Sequence, residues 1–489
     1  MKQRSSRPVD FNSILMSLNV VVMLLIVYGF AQMGESKYVN QETIVLAVLL
    51  CIQTQVALWL ERKQRDPFVI LLAFIMICYF SFRIFTLNIY SVSLALARFD
   101  FSADDSNYAM IFILIANIFL YAGLYAVRFR GSPSIEFEKW RATTPGRAIL
   151  LVLFAIVFNF TKDRYWTVES IPRALYVLVI FASTNVIILL AFAYWLAFAK
   201  SSSRLFTFTI LALLMLSMLL ETLAGSRGAI VVLIQQLMAV TLAIAGCIKV
   251  RKKHLVSGLL LVPGVMALLV GTFAISTFIR TSRGAATFNV GEAIKLARES
   301  DIGPAVLPPL FDRAGYFDYT ADIIVHRAQY DQVISLSSYA KSIIDNLLTP
   351  GFDFFDQPRI SQSLKFAYFG MRPASKIEVG EEYHSDQLGI HGELYALFGW
   401  ASLPLFFGLA FLVKRTYVRL RGKNPFDLVL KRIVVLVIFG WLINSYGFDW
   451  ILIDTLVFAA GLVLYRVCFR NTSCAVQEEE LPRAAVVPA

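Results

Sequence analysis

Long apolar runs are the feature that most constrains how this chain folds. Across its 489 residues, stretches of about twenty mostly apolar residues recur from the N-terminal region almost to the C-terminus. A helix of that length crosses the roughly 30 Å hydrocarbon layer of a bilayer, and in lipid the backbone must satisfy its own hydrogen bonds. The hydrophobic share of 58% also exceeds the roughly 45–50% of soluble domains. The sequence therefore predicts an all-α polytopic membrane protein.

The apolar runs predict about twelve transmembrane helices. These are 12–31, 43–60, 68–88, 109–127, 146–160, 174–199, 205–223, 228–248, 256–279, 388–413, 431–446 and 450–467. The first run follows Lys2, Arg4 and Arg7, as the apolar core of a signal peptide would. It is longer than such a core and lacks a clear small-residue cleavage site, so we interpret it as a retained span.

The distribution of Lys and Arg predicts the orientation. Basic residues are concentrated in alternate connections, namely 2–7, 62–65, 128–147, 200–204, 249–253 and 414–432. The intervening connections carry few of them: 32–42, 89–108, 161–173 and 447–449. Positive connections stay on the cytoplasmic side, so both termini are predicted to be cytoplasmic. The net charge of +11 follows from this bias and does not indicate nucleic-acid binding.

The one long polar segment, 280–387, is predicted to lie on the opposite, outer side. It carries 11 Lys and Arg against 14 Asp and Glu, and it is far longer than an ordinary connection. Apolar residues at helical spacing predict short helices that lie on the outer membrane surface as a lid, over 291–298, 314–329 and 333–348. The predicted division is spans one to nine in 1–279, a loop domain in 280–387, spans ten to twelve in 388–468, and a disordered cytoplasmic tail in 469–489.

Arginines at the outer ends of spans predict an anion-binding site. The tetrapeptide Ser-Arg-Gly-Ala occurs twice, around Arg227 and around Arg283, at the outer ends of consecutive spans. Arg280 is close to the second copy, and Arg313 is a further candidate. A planar guanidinium suits bidentate contact with phosphate, so these residues predict binding of a lipid diphosphate. The alternative is that they only extend to the interface, as many arginines at span ends do.

Two further charged residues are predicted to face the protein interior. Arg83 and Glu221 lie within or near the ends of spans, where a charge exposed to hydrocarbon is costly. For both, a structural ion pair is at least as well supported as a contact with a ligand.

A polar cluster follows where the long segment returns to the membrane, at 381–395. Histidine accepts a proton near neutral pH, and a neighbouring carboxylate can orient it. His384, with Asp386 or Glu382 beside it, is therefore the main candidate for a general base. His391 and Glu393 begin span ten at headgroup depth and form a second candidate pair. The same stretch offers Tyr383 and Tyr395 for contact with an acceptor.

Several common motifs are missing from the sequence. It has no glycine-rich phosphate loop, no His-Glu-X-X-His and no Gly-X-Ser-X-Gly, and its five cysteines show no metal-ligand spacing. We therefore predict no cofactor and no metal. An enzyme of this composition has to receive an activated substrate, and in a lipid-diphosphate donor the diphosphate is itself the leaving group. Arginines can stabilise the charge that develops on it.

These features together resemble the bacterial O-antigen polymerase (Wzy-type) family, which is related to the O-antigen ligases. The resemblance rests on the many spans with a late outer loop, on Gly-Ser-Arg-Gly (225–228), on Arg280 and Arg283, and on Gly-Ile-His-Gly-Glu-Leu-Tyr-Ala-Leu-Phe-Gly-Trp (389–400). One departure is the absence of the His-Asn pair of many ligases at the loop's re-entry. His-Ser-Asp (384–386) stands nearby instead.

The resemblance implies a metal-independent membrane glycosyltransferase of the GT-C class in the bacterial inner membrane. Such an enzyme transfers a glycan from undecaprenyl diphosphate onto the non-reducing end of another lipid-linked repeat unit. Arg227, Arg280 and Arg283 would then hold the diphosphate, and His384 would lie near the acceptor hydroxyl. A chain-length regulator is an implied partner. The alternatives are a ligase, which differs in its acceptor, and a flippase or transporter of lipid-linked glycans.

Overall fold

A computed structural model describes the N-terminal and C-terminal helices of the chain more fully than the residues between them. The described residues are 9–64, 66–89, 99–129, 212, 238–239, 242–243, 249–250, 271, 295, 316–331, 333–345, 354–361, 363–364, 388–421, 425–444, 447–449, 451–452 and 455. Spans predicted at 146–160, 174–199, 205–223, 228–248, 256–279 and 450–467 lie wholly or largely outside them, as do the tail and the helix at 291–298.

The described architecture is helical, with one pair of two-residue strands. Five elements form the N-terminal part: α1 (Phe11–Met33), α2 (Gln41–Gln64), α3 (Pro67–Ile75), α4 (Phe82–Ile89) and α5 (Ala103–Ala126). The long polar segment contributes α6 (Tyr316–Tyr330) and α7 (Leu336–Ile343), and the C-terminal part contributes α8 (Gly389–Phe398), α9 (Leu403–Arg419) and α10 (Pro425–Ile443). A π-helix, Met76–Ser81, joins α3 to α4, and a 3₁₀ turn, Gly399–Ser402, joins α8 to α9. Strand β1 (Val9–Asp10) pairs antiparallel with β2 (Lys249–Val250).

Five of the described helical stretches are long and apolar enough to cross a membrane. They are Asn12–Met33, Gln41–Arg62, Pro67–Ile89, Ala103–Ala126 and Gly389–Arg419. They coincide with the predicted spans 12–31, 43–60, 68–88, 109–127 and 388–413. Helix α10 covers most of the predicted span 431–446 but begins earlier, at Pro425, a residue that is favoured in the first turn of a helix.

The third span is the central one. In the most apolar stretch of Pro67–Ile89, 78% of the residues are buried. The corresponding share in the first span is 28%. Asp66 begins this span as an N-cap, because its side chain accepts a hydrogen bond from the Phe68 N–H at 2.9 Å. The π-helical turn that follows lies in the buried middle of the bundle. Wide turns of this kind occur frequently at functional sites.

An ion pair lies near each end of α5. Near its N-terminus, Lys37 pairs with Asp100 at 3.2 Å, so the first connection meets the residues that precede α5. Near its C-terminus, Lys414 donates to the Leu124 carbonyl at 2.5 Å and pairs with Asp66. The first pair joins connections that the charge pattern predicts outside, and the second joins segments at the predicted inner side.

The lid helices differ in part from the expectation. Helices α6 and α7 form within the predicted 314–329 and 333–348, but α6 does not lie on the surface. Most of its residues, among them Phe317, Ala321 and Ile323, are buried against α5, α8 and the π-helix. The apolar stripe that indicated a surface helix is therefore a packing face between helices.

A close approach between α5 and α9 gives a test of this packing. A Cβ atom added at Gly123 would lie 2.4 Å from the Phe407 carbonyl oxygen and 3.0 Å from the Ala410 Cβ, whereas one added at Gly408 would meet nothing within 4 Å. Small residues permit such approaches between membrane helices. We expect Gly123→Ala to lower the free energy of unfolding by about 1–3 kcal/mol because the helices must separate.

The matched control for that substitution is Gly408→Ala, which adds the same methyl group on the other helix of the pair. Thermal unfolding of the two variants in detergent compares them directly. Equal melting temperatures for Gly123→Ala and Gly408→Ala would contradict the described α5–α9 contact.

Candidate functional site

A buried ion pair fastens the long polar segment to the central span. Arg83 of α4 and Asp318 of α6 are each only 1% exposed. The Arg83 Nε donates to Asp318 Oδ1 at 3.0 Å and its Nη2 donates to Oδ2 at 2.5 Å, so the contact is bidentate. The rings of Tyr79, on the adjoining π-helix, and Tyr316, on α6, pack 4.9 Å apart beside this pair. The expectation that Arg83 faces the protein interior in a structural pair is confirmed.

The glycines of the 389–400 motif lie in close contact with α6. Gly389 (φ +67°) and Gly399 (φ +56°) adopt the left-handed region that favours glycine. A Cβ added at Gly392 would lie 3.1 Å from Ile323 Cδ1 of α6, and one added at Gly399 would lie 2.6 Å from Arg327 Nη1. The 389–400 motif therefore includes a contact surface for a helix of the long polar segment.

Gly399 also divides the predicted span 388–413 into two helices. Arg327 passes over this glycine and donates from Nε to the Ala396 carbonyl at 3.2 Å. Its guanidinium lies 5.9 Å from the centroid of the Tyr395 ring, a cation–π arrangement. The Tyr395 ring also packs near Phe112 of α5, at 4.8 Å between centroids. Tyr395 is thus held between α5 and α6.

Glu393 lies at the junction of three segments. It is fully buried, and its Oε1 accepts hydrogen bonds from the Phe448 N–H at 2.7 Å and from the Tyr339 hydroxyl of α7. Glu393 therefore connects the start of α8 to α7 and to the residues that follow α10.

Asp449 makes a second junction beside the first. It is fully buried, and its Oδ2 accepts from the Ser342 hydroxyl at 2.7 Å and from the Ile360 N–H at 3.3 Å. Gly447 (φ +116°) lies between the two carboxylates, since a Cβ there would be 2.6 Å from Asp449 Oδ1 and 3.8 Å from Glu393 Oε1. Two buried carboxylates therefore lie close together under α7.

His391 is enclosed in the bundle. It is fully buried, its Nε2 lies 3.1 Å from Asn117 Oδ1, and its ring packs 5.0 Å from Phe80 and 5.3 Å from Phe406. Phe80 belongs to the π-helix. The described contacts of His391 are thus those of a packed interior residue, although it is only two residues from Glu393 on α8.

A hydrogen-bonded triad of side chains runs along α6. Asp322 is 3% exposed, and His326 Nδ1 lies 3.2 Å from its Oδ1. The other carboxylate oxygen accepts from the Tyr330 hydroxyl, and the Asp100 N–H also contacts the carboxylate. Burial raises the pKa of the Asp322 carboxyl above its ordinary value, while the bonds from Tyr330 and His326 oppose the rise.

The helix bends where the triad reaches the surface. At His326 the backbone leaves helical geometry (φ −106°, ψ 28°), and its side chain is 25% exposed. The sequence made no strong case for this histidine. The signal that could have identified it is the spacing of Asp322, His326 and Tyr330 at four-residue intervals on one face of one helix.

Three of the predicted site residues belong to the described chain: Glu393, His391 and Tyr395. All three lie on α8, but their described partners differ. Glu393 contacts α7 and Phe448, His391 contacts α5, the π-helix and α9, and Tyr395 contacts α5 and α6. The remaining candidates, Arg227, Arg280, Arg283, Arg313, Tyr383, His384 and Asp386, lie outside the described residues. Among the residues that the structure describes, no group of three or more His, Cys, Asp and Glu side chains could hold a metal ion.

Comparison of the chain with protein-family models, with curated proteins and with solved structures finds no match.

Proposed function

We propose that this protein is a membrane glycosyltransferase that polymerises a polysaccharide. The donor is a glycan on undecaprenyl diphosphate, and the acceptor is the non-reducing end of a second lipid-linked repeat unit. The reaction takes place at the outer, periplasmic face of a bacterial inner membrane, beneath the segment 280–387. The predicted arginines bind the diphosphate as it departs, and a base in the long polar segment removes the proton of the acceptor hydroxyl.

One observation supports this proposal most directly. Helix α6 of the long polar segment is buried among the ends of the spanning helices, and it contains charged residues. Asp318 and Asp322 of α6 and Glu393 of α8 are nearly or fully inaccessible to solvent. Burying ionisable groups is costly unless they have partners, and such groups are often found in functional regions. Their position at a single end of the bundle supports chemistry at one membrane face.

The position of the charges also favours an enzyme over a flippase. A flippase needs polar groups along a route through the membrane. In the five described spanning helices the charged residues lie near one end or the other: Glu42, Glu61, Arg62, Arg83, Asp104, Asp105, Glu393, Lys414, Arg415 and Arg419. A ligase differs from a polymerase only in its acceptor, so the acceptor has to be tested directly.

The test is incubation of the purified protein with lipid-linked repeat units in detergent, followed by separation of the glycans by length. We expect a ladder of products that differ by one repeat unit, without added nucleotide. A single product that forms only when a different acceptor is supplied would favour the ligase. Units that cross a vesicle membrane with their length unchanged would favour the flippase and contradict the proposal.

A further inference from the structure

The Asp322–His326 pair has the geometry of a histidine base held by a carboxylate. An ionised Asp322 carboxylate only accepts hydrogen bonds, so in that state the contact at 3.2 Å requires the hydrogen to be on His326 Nδ1. The ring's other nitrogen, Nε2, then carries a lone pair. Within the described residues Nε2 makes no hydrogen bond, and the side chain is partly exposed. A nitrogen in this state can accept a proton from a bound substrate.

The carboxylate of this pair is itself fixed. Tyr330 holds one oxygen of Asp322 from farther along α6, and the Asp100 backbone holds the carboxylate from the segment before α5. The ring of Tyr319 packs 4.9 Å from Phe99 at the same contact. Because two elements fix Asp322, the imidazole is kept in one orientation and one tautomer, as a catalytic histidine requires.

His391, the other described histidine, does not offer this arrangement. Phe80 and Phe406 enclose its ring, and its neighbour at 3.1 Å is the neutral amide oxygen of Asn117. It has neither a carboxylate partner among its described contacts nor an exposed edge. Of the two histidines, only His326 combines an orienting carboxylate with access to a ligand.

We propose that His326 is the general base of the glycosyl transfer and that Asp322 is its positioning residue. This rests on the proposed function and names a base other than His384. The acceptor hydroxyl gives its proton to His326 Nε2 while its oxygen bonds to the anomeric carbon of the donor. The bond from that carbon to the diphosphate oxygen breaks, and the diphosphate leaves with the electron pair. The imidazolium then releases its proton to water.

The first test is the initial rate of chain extension by His326→Gln, Asp322→Asn and Asp331→Asn in detergent. General base catalysis contributes about 100- to 10,000-fold, so we expect His326→Gln to lose at least about 100-fold in rate. We expect Asp322→Asn to lose at least about tenfold, because an amide no longer selects the tautomer. Asp331→Asn is the matched control directly after the same helix, since Asp331 is 58% exposed and 4.0 Å from Arg327. It is expected to keep the wild-type rate.

The second test separates a catalytic role from a structural one by the pH profile. Charged and titratable groups of α6 and of the elements packed on it surround the imidazole. The single groups are Asp322, Tyr330 and Asp331, and the paired groups are Asp318 with Arg83, Arg327 with Tyr395, and Asp100 with Lys37. A protonated imidazole cannot accept a proton, so the wild-type rate should fall as the pH is lowered and the base becomes protonated. We expect His326→Gln to lack this fall and Asp331→Asn to retain it.

The outcomes distinguish this proposal from the proposed function. If the wild-type protein forms no ladder, the proposed function fails, and the assignment of a base fails with it. If the wild type forms a ladder and His326→Gln keeps both its rate and the fall in acid, the polymerase stands and His326 is not the base. Loss of the fall in His384→Gln, with its retention in His326→Gln, would likewise overturn the proposal in favour of His384.

Discussion

Arg83→Met is expected to be the most destabilising single substitution of a charged residue in the described bundle. It removes the bidentate partner of Asp318 while that carboxylate remains 1% exposed. Breaking a buried pair from one side leaves an uncompensated charge and costs about 3–5 kcal/mol. We expect a large fall in melting temperature in detergent, with loss of the α6 contact before the spans unfold.

Two controls make this result specific. Lys37→Ala breaks the pair with Asp100, whose side chains are 56% and 88% exposed, so we expect almost no change in melting temperature. The double variant Arg83→Met with Asp318→Leu removes both charges and should recover part of the loss, since apolar groups can replace a buried pair. A double variant less stable than Arg83→Met alone would contradict the description of this pair as one buried unit.

Arg227→Ala and Arg283→Ala are expected to abolish chain extension while each protein reaches normal levels in the membrane. A guanidinium aimed at the departing diphosphate stabilises charge that develops in the transition state, and loss of one such group costs about 100- to 1,000-fold in rate. Lysine at either position keeps the charge but loses the planar fork, so we expect only partial rescue. Product length and initial rate with lipid-linked repeat units are the measurements.

The matched control for the arginines is Arg415→Ala on α9. Arg415 lies 5.3 Å from the Phe411 ring on α9, in the basic segment predicted to face the cytoplasm. We expect its alanine variant to extend chains at the wild-type rate. Wild-type product lengths from both Arg227→Ala and Arg283→Ala would contradict the diphosphate-binding role.

The spans were predictable because their signal is local. A run of apolar residues long enough for a bilayer predicts a helix without reference to the rest of the chain. The same reasoning located α6 and α7 from their periodicity but misplaced α6, because an apolar stripe faces lipid and a packed neighbour equally well. The break between α8 and α9 at Gly399 was harder to predict. It coincides with a contact from Arg327, which belongs to a helix distant in the sequence.

The candidate site was predictable only in part for the same reason. The cost of exposing a charge to hydrocarbon was enough to predict that Arg83 faces the interior. Its partner Asp318 is 235 residues away in the sequence, and no local pattern indicates it. The triad on α6 is different. Asp322, His326 and Tyr330 follow helical spacing, so their contacts could be anticipated, while the burial of Asp322 depends on the segment before α5 and could not.

In the proposed reaction, a glycosidic bond forms as a lipid diphosphate departs. The most direct measurement is therefore the amount of undecaprenyl diphosphate released per bond formed by the purified protein from lipid-linked repeat units. We predict one diphosphate released for each bond, with both products lost in Arg227→Ala. Movement of intact units without any release, or bond formation without release of the diphosphate, would contradict the account.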